Sequence, residues 1–223
     1  QLVDETGKAL CDEWPLSTFP AASSNPERLS IAAYTCSGGP DWPTFGSKHA
    51  FKPAAYRARL YDIILDQQPD LVVANGDHIY WDYRSWKENP DTALLRWAMT
   101  AVINSYGRFD ETQPVMGTDN EKTLIAIGDD QIASSYGVLF RSTPVLFITD
   151  DHDYFDNDDA SPELVTFPPD QFHQDLRNTL QSLYFPEFIV DESMPESVPG
   201  QMQENGVYMS TLYGQVNYGT LFS

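Results

Sequence analysis

Short apolar runs and longer amphipathic stretches take turns along this chain. Leu29–Tyr34 (LSIAAY), Leu71–Asn75 (LVVAN) and Pro144–Thr149 (PVLFIT) are brief and almost wholly apolar, the pattern of buried strands. Lys52–Gln67 has helical spacing instead. Pro53 suits its first turn, Tyr56, Leu60, Ile63 and Ile64 fall on one face, and Pro69 stops it. Thr92–Tyr106 repeats Leu94, Leu95, Ala98, Met99, Val102, Ile103 and Tyr106 at helical intervals. Asp170–Tyr184 does the same with Phe172, Leu176, Leu180, Leu183 and Tyr184. Near the end, Gly206–Tyr213 and Gln215–Phe222 alternate and are expected to pair as a hairpin. Strands alternating with amphipathic helices predict an α/β fold.

Residues 1–28 lack such a pattern. They are polar, carry Pro15, Pro20 and Pro26, and read as an irregular lead-in to one domain over 29–223. The 223 residues contain 41% hydrophobic and 13% aromatic side chains, enough for a packed core. No apolar run reaches the roughly 18–20 residues of a membrane span. The chain starts at Gln1 with no basic-then-apolar leader, as expected of an exported product whose targeting sequence has been removed. A strand-like run reaches almost to Ser223, so further sequence is expected beyond it.

The residues just after the three apolar runs bring in chemistry. The first run leads into Thr35-Cys36-Ser37-Gly38-Gly39, the second into Gly76-Asp77-His78-Ile79-Tyr80, the third into Asp150-Asp151-His152-Asp153. Sites in open α/β sheets lie beyond the carboxyl ends of the strands. Three such ends would gather a thiol, carboxylates, a phenol and an imidazole on one crest. Cys36, Asp77 and Tyr80 as anions favour a strongly polarising ion such as ferric iron. Asp77 could bridge to a harder ion, calcium or magnesium, held by Asp151. His152 could stay off the metals and serve the leaving group as a proton donor, or hydrogen-bond a phosphoryl oxygen. Six aspartates within 150–159, with no Lys or Arg among them, would repel one another unless neutralised. They do not form an EF-hand loop: counting from Asp156, Ser161 falls where Gly is required and Phe167 where Glu is required.

These blocks resemble a known family. GDHIYWD at 76–82 is similar to the Gly-Asp-Gln-Ile-Tyr signature of PhoD-type alkaline phosphatases, within the calcineurin-like metallophosphoesterases. DDHDYFDND at 150–158 resembles their Asp-Asp-His-Asp/Glu block, and YTCSGG at 34–39 their first motif, in which Cys replaces an Asp-x-His pair. The resemblance covers roughly residues 29–160. It implies a two-sheet sandwich flanked by helices, with Cys36, Asp77 and Tyr80 on iron, Asp77 and Asp151 on a neighbouring ion, Asn157 as a ligand or phosphate contact, and His152 as the catalytic histidine. It implies iron plus calcium as cofactors, with magnesium, manganese or zinc as substitutes, and a small phosphate ester as substrate. His78 stands where the family commonly has Gln, and the family's last ligand motif would lie beyond Ser223.

Charge agrees with that chemistry. Thirty-three acids against thirteen bases give −20, a field that repels nucleic acid and anionic membranes. It also repels phosphate, so a phosphoesterase of this composition needs cations in its site. Competing readings are another dinuclear metallohydrolase and a metal-binding module without turnover. Cys11 and Cys36 could instead form a disulfide or be inert thiols. Gly128-Asp129-Asp130 is a second Gly-Asp that reads as a loop. His49 and His173 have no evident partner, with His173 a surface or packing residue. Arg141 reads as structural, and Tyr80, Trp81, Tyr83 and Trp86 as either a pocket wall or packing.

Overall fold

In this computed structural model the described residues are 1–18, 20, 26–41, 44–45, 48–49, 51–82, 93–155, 170–185, 203–204 and 207–208. The elements in chain order are β1 (Ile31–Tyr34), β2 (Thr44–Phe45), β3 (Lys48–His49), α1 (Ala54–Asp66), β4 (Leu71–Asn75), α2 (Ala93–Tyr106), α3 (Asp119–Gly128), β5 (Val145–Ile148), α4 (Gln171–Tyr184), β6 (Gln203–Glu204) and β7 (Val207–Tyr208). A π-helical turn, Asp129–Ala133, continues α3 into a last short turn, Ser134–Tyr136.

β1, β4 and β5 form one parallel sheet with β4 in the middle. Tyr34 lies opposite Ala74 and Asn75 opposite Ile148, so all three strands finish along the same edge. The expected parallel α/β order is therefore present. The sheet is small, and among the described residues the other paired strands are two short antiparallel ribbons, β2–β3 and β6–β7, with no second sheet facing the first. Val207–Tyr208 pairs with Gln203–Glu204; the pairing expected between Gly206–Tyr213 and Gln215–Phe222 lies outside the described residues but for Val207–Tyr208. No helix among the described residues is long and apolar enough to cross a membrane.

Three expectations about burial and structure are corrected. Among the described residues β1 is an edge strand, with β4 alone having neighbours on both sides, and Ile31 is 51% exposed. On α1 the expected apolar face points outward: Tyr56, Leu60 and Ile63 are exposed, while Arg57 and Tyr61 are buried. Tyr61 stacks on Tyr136 at 5.1 Å, and the Arg57 guanidinium donates to the Ser37 and Gly39 carbonyls. A long cationic stem and a phenol can each bury apolar area while their polar tips find partners, which periodicity of aliphatic residues does not register. Lastly, Gly128-Asp129-Asp130 is helical rather than a loop. α3 is capped by Thr118, whose side chain accepts from the Asn120 N–H, and by Glu121, which accepts from the Gly117 N–H. Leu124 and Ile127 of α3 join Ile103, Leu176 and Leu180 in the main core.

Candidate metal centre

The strand ends approach one another closely because the backbone turns sharply there. Gly76 has φ +75°, and Asp77 and Cys36 lie in the left-handed region at +58° and +57°. For a residue with a Cβ that conformation costs about 1–2 kcal/mol, strain of the kind that gathers at functional sites. A Cβ on Gly76 would sit 2.3 Å from the Asp150 Cβ, so only glycine lets the ends of β4 and β5 meet. On the other side, the Gly38 N–H donates to the Asp77 carbonyl at 2.7 Å. The sheet edge thus becomes a crest of three joined loops.

Three of the expected ligands converge on one atom. The Cys36 thiol and the Tyr80 hydroxyl each donate to Asp77 Oδ2, both at 3.1 Å. Ligands bound at about 2.0–2.3 Å to one ion lie about 3 Å apart when they meet it at right angles, so this spacing fits a shared cation. Asp77 is 6% exposed, and its second oxygen, Oδ1, has no hydrogen-bond partner among the described residues. A buried carboxylate oxygen with no donor is costly, and a cation would satisfy it. Ligand atoms of Asp77, Asp151 and His152 lie within 4.8 Å of one another, a second grouping able to hold an ion. Asn157 lies outside the described residues.

The protons of this cluster are tightly held. Burial pushes the Tyr80 phenol far up, and the neighbouring Asp77 and Cys36 add to it. Partial desolvation likewise raises the thiol of Cys36, an exposed residue. Both are therefore neutral donors to Asp77. Cys36 and Cys11 are both free thiols.

His152 stands on a short 3-10 turn, Asp151–Tyr154, that comes after β5. Its Nδ1 is 2.7 Å from Asp82 Oδ2, and its ring is tilted over that of Tyr80 at 4.2 Å. Burial alone would lower its pKa, but the charges of Asp82, Asp77 and Asp151 push it up to about 9. With Nδ1 committed to Asp82, Nε2 is the nitrogen left to act.

Two further acids, Asp82 and Asp153, take part without standing out in the sequence as site residues. Asp153 is 1% exposed and accepts from the N–H groups of Asp77 (2.9 Å), His78 (2.7 Å) and Asp150 (2.9 Å). It is also the closing residue, at N3, of a capping box begun by Asp150. That spacing, Asp150-x-x-Asp153, is the signal by which a sequence could show it. Asp82 offers none: it is a lone acid after an aromatic pair, identified only by its contact with His152.

The other candidates fall outside the centre. His78 is 1% exposed, donates from Nε2 to the Ile148 carbonyl at 3.0 Å and accepts the Tyr136 hydroxyl at Nδ1 (3.2 Å). It packs on Phe185 at 4.7 Å, so His78 is a core residue with both ring nitrogens engaged. His173 is buried rather than on the surface, with Nδ1 2.8 Å from the helix-capping Asp170. His49 is exposed, 3.3 Å from the Asp41 carbonyl. Arg141 lies over the Trp14 ring at 5.6 Å, a structural contact. Of the aromatics, Trp81 packs on Phe109 at 4.7 Å while Tyr80 is in the site; Tyr83 and Trp86 lie outside the described residues.

Searches of protein-family models, of curated proteins and of solved structures each return no significant match.

Proposed function

We propose that this chain is a metal-dependent hydrolase of phosphate mono- or diesters, with the PhoD-type centre that its motifs resemble. The observation that carries this reading is the convergence of Cys36 and Tyr80 on Asp77 Oδ2 at 3.1 Å, beside an unpaired buried Asp77 Oδ1. A thiol, a phenol and a carboxylate in that arrangement suit a ferric ion. Asp77 with Asp151 suits calcium or another hard divalent ion. The second sheet of a sandwich belongs to the same proposal.

The ions would supply Lewis-acid charge and lower the pKa of an attacking water. The chain's own contribution is positional and acid–base. Asp77 supplies carboxylate oxygens to both groupings, and the −20 charge makes such a centre the place where an anionic ester can be held. Asp82 keeps a proton on His152 Nδ1 and fixes the ring. Protonated His152 can then give its Nε2 proton to the departing alkoxide as the P–O bond breaks.

The test uses elemental analysis together with hydrolysis of nitrophenyl phosphate monoester and diester. The wild-type protein should hold iron and a divalent ion and cleave at least one ester. Asp77→Asn should lose metal and activity together, each by at least about a hundredfold, since ligand loss exceeds the 10–100-fold cost of disturbing an outer partner. Unchanged metal content and full activity in that variant would overturn the assignment. Tight metal binding with no turnover of either ester would favour the non-catalytic module.

A further inference from the structure

The π-helical turn after α3 carries one side chain that reaches both ligand loops. Gln131 is 0% exposed. Its Oε1 accepts from the Gly39 N–H at 2.9 Å and from the Tyr80 N–H at 2.7 Å, and its Nε2 donates to the Tyr80 carbonyl at 2.9 Å. One amide therefore closes a two-point clasp on the backbone of Tyr80 and a third bond to the loop that begins at Cys36. Both lone pairs of Oε1 are used, so the amide orientation is determined by its partners. The arrangement is backed from below, where the Arg57 guanidinium donates to the Ser37 and Gly39 carbonyls of the same loop and also reaches the Gln131 carbonyl at 3.5 Å.

The local winding serves this placement. An α-helix running straight through 129–133 would present one residue fewer over that stretch, and π turns of this kind recur at functional sites. Here the turn separates three neighbouring side chains. Asp129 meets the Tyr184 hydroxyl at 2.8 Å, Asp130 accepts from the Tyr106 hydroxyl, and Gln131 alone goes inward to the crest.

We infer that Gln131 is a positioning residue for the metal centre: it holds the Cys36 loop and the Tyr80 loop in register, so that thiolate and phenolate reach the same cation. The inference rests on the proposed metal reading and extends it beyond the residues that touch the ion. Removal of the amide frees the Tyr80 backbone N–H and carbonyl and the Gly39 N–H, while Cys36, Asp77 and Tyr80 all remain. Metal affinity should then fall without loss of any ligand, the usual consequence of disturbing groups that orient ligands.

Ferric iron itself is the probe, because a bound tyrosinate gives a visible charge-transfer absorption that reports the Tyr80–iron contact directly. Wild-type protein titrated with ferric iron should develop that band. Gln131→Ala should bind iron about 10–100-fold more weakly, with the band shifted or weakened. Gln131→Glu keeps the two acceptor contacts and sets an oxygen against the Tyr80 carbonyl, so it should fall between the two. Ile132→Val, one residue along the same turn and 3% exposed, is the control for general loosening. It should lower thermal stability yet leave affinity and band as in wild type. An unaltered band and affinity in Gln131→Ala, with circular dichroism showing the fold kept, would overturn the inference while leaving the metal reading intact. So would an equal change in Ile132→Val. Absence of any band and of iron binding in wild type would instead remove the metal reading, and this inference with it. If Gln131→Ala does not fold, the band and affinity of Gln131→Glu decide alone.

Discussion

Two Gly-Asp dipeptides in this chain look alike and do opposite things. Gly76-Asp77 ends β4 in a left-handed turn, with φ +75° and +58°, and throws its carboxylate among Cys36, Tyr80 and Asp151. Gly128-Asp129 continues a helix, with Gly128 at φ −63°, and its carboxylate takes one hydroxyl hydrogen bond at an exposed position. Both glycines are there because a neighbour is close, but the neighbours differ. At Gly76 it is the backbone and Cβ of Asp150; at Gly128 it is the edge of the Tyr184 ring. In this chain a Gly-Asp pair joins the candidate site only where a strand end and a positive φ aim the carboxylate at other candidate ligands.

The sharpest way to break this contrast is at the carboxylate that closes the first turn. Asp153→Ala leaves the N–H groups of Asp77, His78 and Asp150 without acceptors in a buried place. At about 1–3 kcal/mol per unpaired group, denaturant unfolding should show a loss of at least about 3 kcal/mol. A loss below about 1 kcal/mol would mean that the three loops hold without the clasp.

The glycines come next. Gly76→Ala adds left-handed strain to an overlap with backbone, and thermal unfolding should report about 2–4 kcal/mol of destabilisation. Gly128→Ala meets only a ring that can shift, and the helix gains from alanine, so its cost should stay near 1 kcal/mol or less. Equal costs would show that both turns are constrained in the same way.

His152→Ala tests what the first turn gathers. On the proposed hydrolase reading, turnover should fall roughly a hundredfold with metal content near normal, the usual worth of general acid assistance. The fall should be smaller for nitrophenyl esters, whose leaving groups need little protonation. Loss of metal in step with activity would make His152 a ligand beside Asp77 and Asp151.

The smallest effect belongs to the second turn. Asp129→Ala removes one exposed hydrogen bond to Tyr184, so stability should change by no more than about 1 kcal/mol and iron binding not at all. Weaker iron binding in this variant would make the two dipeptides parts of one site.

The sequence is most legible where one physical rule dominates. β4 matches its apolar run residue for residue, and α1, α2 and α4 depart from their expected ends by at most two positions. The gathering of Cys36, Asp77, Tyr80, Asp151 and His152 can be read from strand ends alone. The illegible parts are those where polar residues carry the packing. α3 escapes the apolar period because buried Asn120 and Thr123 interrupt its inner face, although Thr118 and Glu121 announce its start. Gln131 and Asp82 are single buried polar residues, and no period or spacing distinguishes such a residue from a surface one. Their meaning comes from partners about 50 to 90 positions away.

The order of the sheet also sets when the proposed centre can exist during synthesis. Cys36, Asp77 and Tyr80 emerge early, whereas Asp151, His152 and the Asp153 clasp arrive with β5, about 74 residues after Asp77. At about 5–20 residues per second, the ribosome takes on the order of 4–15 s to cover that distance. For that interval the nascent chain displays a thiol and a phenol with no second carboxylate loop to close over an ion. On the metal reading, correct loading is thus a late event, tied to the docking of β5, and the exposed half-site before it is the stage at which a soft, wrong ion could enter.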